Sequence, residues 1–422
     1  MRVVKLLLLV FAAAACVCCA CAPAAAQEPC GAFELDERGD LHVAVSNTTG
    51  TTNQQPQQAR VFVDGVDVAG LQERIAQQKK RLQRYTAQAG VLERACRFQY
   101  PPLVDETSIM GVRDGVARFH GGVFAHGSVF GIPAYVDYVL VIDTATHALS
   151  YFNIPFTNTG DYKFAGGVLA ASGDAIYGIP SYSNIVLKID AVARAAVSNW
   201  PGLNVGHGVN KWAGGALGPN GLIYGVPYTS TSVLIIDPAT DTVDTTSIAG
   251  LSGDAKWTDA ATATDGRIFC MPFSKGTVLV IDPFTHMTRE LPVPNSRAQA
   301  YRGAVIAGNG LIFGIPFKET SALVVNPFDD TLDKLALPEV PGQLKFIGGV
   351  VAPNGHVLAI PLDTSQPVLS IDPLTMAVDN KTLAMQTPSS EFMFRGAAVA
   401  DNGFVYIMPS YATIVPIVDV GC

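Results

Sequence analysis

Apolar and polar positions along the chain follow three rhythms, and each predicts a different element. The first is a continuous run. Arg2 and Lys5 precede an apolar stretch from Leu6 to Val17, and small residues lead to Ala24-Ala25-Ala26 before Gln27. A charged start, an apolar centre and an A-x-A end predict a secretory signal over residues 1–26, which is set aside from the fold. The run is short of the ~20 residues a membrane span needs and breaks at Pro23, so no transmembrane span is expected after signal removal. An uncleaved anchor, or a lipoprotein signal with Cys16 or a later cysteine acylated, are the alternatives.

The second rhythm has period seven. Val68, Ile75, Leu82, Ala89 and Cys96 take one seam position, and Leu71, Gln78, Tyr85 and Leu92 the other. This predicts a coiled-coil helix over 68–97, about 43 Å long at 1.5 Å per residue. A seam implies a partner, so self-association through residues 68–96 is expected; the alternative is an amphipathic helix lying on the neighbouring domain. Residues 27–67 read as a short N-terminal region. It holds a polar linker from Asn47 to Gln58, a strand-like Val61-Phe62-Val63 and a turn at Asp64-Gly65.

From residue 98 to 422 the rhythm is one of short strands, and it repeats. Prolines recur at 133, 180, 227, 272, 316, 361 and 409, each followed ten or eleven residues later by Asp143, Asp190, Asp237, Asp282, Asn326, Asp372 or Asp419. A period of 44–48 residues points to a propeller or a solenoid. Each unit offers a small-residue strand, a tight turn such as Asn220-Gly221 or Asn354-Gly355, a second strand, a third strand ending in Asp, and a polar fourth strand. Asn-Gly allows positive φ at both turn positions and so predicts two-residue hairpins. Four antiparallel strands per unit, without a helix to cover an open edge, make a propeller blade. The seventh unit stops one strand short, whereas Val104-Asp-Glu-Thr-Ser-Ile109 matches the fourth strand Val243-Asp-Thr-Thr-Ser-Ile248. The expected fold is all-β: a seven-bladed propeller of four-stranded blades closed by that N-terminal strand and preceded by a short coiled-coil helix.

Ile223-Tyr-Gly-Val-Pro-Tyr228, followed by Val233-Leu-Ile-Ile-Asp-Pro-Ala-Thr-Asp-Thr-Val243, resembles the YVTN and NHL class of propeller repeats. The resemblance spans about residues 100–422 and departs from the family pattern where most units carry Gly-(Ile/Val)-Pro in place of Thr-Asn. It implies the fold and hardly the activity, because such propellers serve as surface proteins, binding platforms and occasionally enzymes.

Composition fits a large folded core. Of 422 residues, 49% are hydrophobic and only 15% charged. A net charge of −8 argues against a nucleic-acid partner. Four cysteines leave with the signal. Cys30, Cys96, Cys270 and Cys422 remain, consistent with two disulfides of three possible pairings or with free thiols. Asn47 and Asn380 head N-glycosylation sequons that matter in a eukaryotic host.

Within the acidic propeller, 17 Lys and Arg occur in residues 98–422, and seven of them recur once per unit beside an aromatic residue. The cations are Arg118, Lys163, Lys211, Lys256, Arg302, Lys345 and Arg395; the aromatics include Trp212 and Trp257, and the loop after each proline adds residues such as Tyr228. In the fifth and seventh units the cation follows the aromatic. Either neighbour of an aromatic shares one strand face, so all seven are expected at one channel mouth. Cations and aromatics there suit an anionic or carbohydrate ligand. The competing reading is a bracket between blades, with the basic heads capping carbonyls.

No metal-ligand cluster, phosphate loop or nucleophile motif occurs, so no cofactor, metal or catalytic residue is assigned. The expected protein is a secreted or cell-surface binding module. A structural surface protein assembling through its coiled coil, or a propeller lyase or hydrolase, are the alternatives.

Overall fold

The structure, a computed structural model, describes residues 31–35, 41–45, 62–63, 66–67 and 101–421 apart from 116, 156–161, 198–202, 340–341, 343 and 387–392. The signal, the coiled-coil segment, Cys30, Cys96 and Cys422 lie outside the described residues. In the N-terminal unit, Gly31–Leu35 pairs with Leu41–Val45 and Phe62–Val63 with Val66–Asp67, both antiparallel. The second pair matches the strand expected at Val61-Phe62-Val63. The first went unremarked in the sequence, although Ala-Phe-Glu-Leu and Leu-His-Val-Ala-Val flank a polar Asp-Glu-Arg-Gly-Asp stretch.

Residues 103–419 form seven four-stranded antiparallel sheets. The third is representative: Trp212–Leu217, Ile223–Pro227, Leu234–Asp237 and Thr242–Asp244 pair in sequence order. The second strand of each sheet is apolar on both faces, as Ile223–Pro227 is, because its sheet is covered by a neighbour on each side. The buried residues accordingly form seven cores, one between each pair of adjacent blades, and a small eighth cluster of Phe273, Phe317, Ile347 and Leu362. Tyr177 and Ile179 of the second blade meet Trp212, Ile223 and Leu234 of the third, and Tyr406 and Met408 of the seventh meet Phe119 and Leu140 of the first. No helix occurs among the described residues.

The seventh sheet consists of Phe394–Val399, Val405–Pro409, Ile417–Asp419 and, as its outer strand, Leu103–Asp105. Ile417 faces Asp105, Val418 faces Val104 and Asp419 faces Leu103. The outer strands are shorter than their sequence pattern. The strand read as Val243 to Ile248 ends at Asp244, whose carboxylate accepts the backbone N–H groups of Thr246 and Ser247 at 2.7 and 3.1 Å and turns the chain out of the ladder.

The repeated acid also has a local task. Asp143, Asp237, Asp282 and Asp372 each accept the N–H two residues on at 2.8–3.2 Å, and Asn326 does so at 3.1 Å. Cys270 is a free, fully buried thiol in the core between the third and fourth blades, which removes it from the expected disulfides.

Candidate functional site

One mouth of the ring is built on a belt of backbone hydrogen bonds. In six of the seven blades the residue preceding the inner strand donates its N–H to the carbonyl that follows the repeated proline of the previous blade, and in the seventh Phe394 N, the first residue of the strand, meets Leu362 O at 3.3 Å. The carbonyl of the residue preceding the strand accepts from the matching N–H of its own blade. Lys211 N to Ser181 O is 3.0 Å, Tyr228 N to Lys211 O 3.0 Å, Lys256 N to Tyr228 O 3.0 Å and Phe273 N to Lys256 O 2.8 Å. Arg118, Lys163, Lys211, Lys256 and Lys345 occupy this belt position. In the fifth blade the position belongs to Ala300, and in the seventh the carbonyl that Ser410 N meets is that of Met393.

The five belt cations turn their heads into the neighbouring backbone. Lys211 Nζ donates to the carbonyls of Ser181, Ser183 and Gly208 at 3.1, 2.9 and 3.2 Å, and Lys256 Nζ to those of Tyr228 and Gly253 at 3.1 and 2.7 Å. Arg118 donates to Gly115 O and Ala412 O. Lys163 reaches Tyr135 O at 2.9 Å and the Asp137 carboxylate at 2.9 Å, and Lys345 reaches Lys318 O at 3.4 Å. All five are buried. Burial lowers Lys211 and Lys256 to about 8, since desolvation penalises the charged form. Trp212 and Trp257 are buried too, their indole N–H groups held by Ser232 O at 2.8 Å and Thr277 O at 2.6 Å.

Arg302 and Arg395 stand elsewhere. Each is the second residue of its inner strand, two positions beyond the belt, and each is half-buried. The Arg302 guanidinium lies 5.3 Å from the Phe273 ring and 5.2 Å from the Phe317 ring, with no carboxylate or carbonyl in hydrogen-bond reach among the described residues. Arg395 lies 5.6 Å from the Tyr162 ring. The sequence had placed both orders of cation and aromatic at equivalent heights. The belt shows them two residues apart along the strand.

The next residue of each inner strand faces its counterpart in the neighbouring blade. Six of the seven are glycines with positive φ: Gly121, Gly166, Gly214, Gly303, Gly348 and Gly396. The pairing register shifts at this point in every blade. Both the dihedral and the approach demand glycine, because a Cβ on Gly348 would stand 2.8 Å from Gly396 Cα and one on Gly396 3.1 Å from Gly121 Cα. The fourth blade departs from the pattern with Asp259, at φ 43°.

Asp259 thus places a carboxyl in the channel, where it, His120, Tyr162, Asn210, Tyr228 and Arg302 line a cavity of about 40 Å³. His120 is 9% exposed and neither ring nitrogen has a hydrogen-bond partner; its ring meets Tyr162 edge-on at 5.5 Å. Burial, then the charges of Arg395 and Arg302, hold the imidazole well below its ordinary value, so it is neutral. Burial raises Asp259 to about 6 against the pull of Arg302.

Of the ten residues proposed from sequence, Arg302, Arg395 and Tyr228 come together around this channel. The other seven sit in the belt and the blade cores. His120 and Asp259 were not proposed. Aligning the seven inner strands is the signal for Asp259, since it replaces the glycine of six units. Among the described residues no three His, Cys, Asp or Glu side chains converge as a metal site would need.

No protein-family model matches the chain, and no curated protein sequence does. Solved structures do match in fold. A streptogramin B lyase superposes over 76% of this chain and 98% of its own, with TM-score 0.61 and 13% identity. The WD40 repeats of RRP9 match over 76% and 99%, with TM-score 0.56 and 12% identity. The extracellular domain of a putative one-component system from B. thetaiotaomicron matches over 76% and 43%, with TM-score 0.54 and 10% identity. At these identities the likeness is one of fold: the chain is a β-propeller.

Proposed function

We propose that the protein is a secreted or cell-surface recognition module that binds an anionic or acidic-carbohydrate ligand at the channel mouth, on Arg302 and Arg395. The observation that carries this reading is Arg302, a half-buried cation between two aromatic rings with no carboxylate or carbonyl in hydrogen-bond reach among the described residues. Holding a guanidinium out of bulk water without a partner costs free energy that a bound anion recovers. Extracellular and WD40 propellers among the similar structures are in keeping with a recognition role. In this reading the repeats are of the YVTN/NHL type, the chain enters the secretory pathway through residues 1–26, and Leu103–Asp105 latches the ring. The helix at 68–97 joins copies of the chain, and the five belt cations are brackets rather than ligand contacts.

The test is a screen of sulfated and carboxylated oligosaccharides against three proteins. Wild type and Lys211→Ala are expected to bind alike, and Arg302→Gln/Arg395→Gln to lose at least about tenfold in affinity, the worth of one charge-assisted hydrogen bond. Equal binding by the arginine variant, or selective loss in a folded Lys211→Ala, sinks the assignment.

A further inference from the structure

Three groups, His120, Arg302 and Asp259, meet in the channel without the hydrogen-bond partners that buried polar groups ordinarily have among the described residues. Both nitrogens of His120 are unbonded, and among the described residues Arg302 makes ring contacts and no hydrogen bond. Asp259 occupies the one place in the glycine ring where a side chain intrudes, and no donor among the described residues reaches its carboxyl. Arg395 of the seventh blade stands beside them, close enough to act on both His120 and Tyr162. Unpartnered polar groups converging on one cavity are the mark of a site that is completed by a ligand.

The size of the cavity limits what enters. About 40 Å³ holds roughly three water-sized groups, enough for the oxygens of a sulfate, phosphate or carboxylate but not for a sugar ring. Donors line it: the Arg302 guanidinium, the Tyr162 and Tyr228 hydroxyls, the Asn210 amide and one N–H of a neutral His120, with the Arg395 guanidinium behind them at 5.6 Å from the Tyr162 ring. Among the described lining residues a single group repels an anion, and that is Asp259.

We infer that this channel is a binding site for a small oxyanion group, taken up together with a proton that comes to rest on Asp259. The inference rests on the proposed anion-binding function and adds its ligand group and its pH dependence. With Asp259 ionised, two arginines and one carboxylate leave a net charge of +1 around the cavity; with Asp259 protonated it is +2, and a new O–H donor appears. The other titratable groups facing Asp259 do not change charge near neutral pH. Burial first of all keeps Tyr162 and Tyr228 protonated, keeps the Cys270 thiol protonated and keeps His120 neutral. Since burial raises Asp259 to about 6, the free site loses this proton as pH rises through that value, and anion affinity falls with it.

Sulfate is the probe, because its charge is constant over the range of interest. Calorimetric titration of the full chain is expected to show affinity about tenfold or more higher near pH 5 than near pH 7.5, with close to one proton taken up per sulfate at the higher pH. Asp259→Gly, which restores the residue of the other six blades, and Asp259→Asn are expected to bind sulfate at the higher pH as tightly as wild type at the lower, without proton uptake. Equal affinity of wild type at both pH values, or no gain in either variant, overturns the role of Asp259. No sulfate binding by any of the three proteins while arginine-dependent saccharide binding persists overturns the oxyanion site alone. Loss of both overturns the underlying function as well.

Discussion

Lys211 shows what a buried cation does in a β-propeller belt. Its ammonium donates to three carbonyls, and two of them, Ser183 O and Gly208 O, have no other donor among the described residues. Lys211→Ala is expected to cost about 1–3 kcal/mol at neutral pH, read as a lower unfolding midpoint. The pH dependence has a definite sign. Burial lowers the folded-state value to about 8, below the ~10.4 of the unfolded chain, so the unfolded state binds the proton more tightly between those values. Stability of the wild type relative to Lys211→Met should therefore rise as pH increases from about 8 to about 10.5. A falling or flat difference counts against the bracket role. The cations themselves were legible in the sequence, one per unit. Their division was not. Arg302 and Lys256 both neighbour an aromatic on the same strand face, and only the hydrogen-bond belt reveals that one is held by backbone and the other projects into the channel.

Among the elements, the outer strands are the most variable, and one feature unites three of them. Asp105, Asp244 and Asp379 each end the strand by accepting the N–H groups two and three residues on. Burial works to raise Asp105, but hydrogen bonds from Ser108 and Thr107 prevail and hold it at about 2. Its contribution to stability is complete above about pH 4 and is lost as pH falls toward 2. That shared turn is why Val104 to Ile109 could be matched to Val243 to Ile248 from sequence, although 139 positions separate them. If Leu103–Asp105 latches the ring, deleting residues 101–110 leaves Ile417–Asp419 as an open edge. Such a protein is expected to melt about 5 °C or more lower and to self-associate, by calorimetry and light scattering. An unchanged midpoint removes the latch. The hairpin at Gly31–Leu35 and Leu41–Val45 was missed because two five-residue strands outside the repeat carry no periodic signal.

For the whole molecule, the seven cores lie between blades, so stability is spread around the ring and each blade depends on both neighbours. Assembly is a separate matter, assigned here to the heptads. Deleting residues 68–97 is expected to turn an oligomer into a monomer in sedimentation while the propeller keeps its circular dichroism. A full-length chain that already sediments as a monomer refutes self-association. The sequence by itself determined the propeller and its seven four-stranded blades. These follow from local turn chemistry and from a period that repeats, and both are written residue by residue. The channel site was decided only by tertiary structure. His120, Asp259, Arg302 and Arg395 come from four blades, and only the packing of those blades around the channel brings them to one cavity.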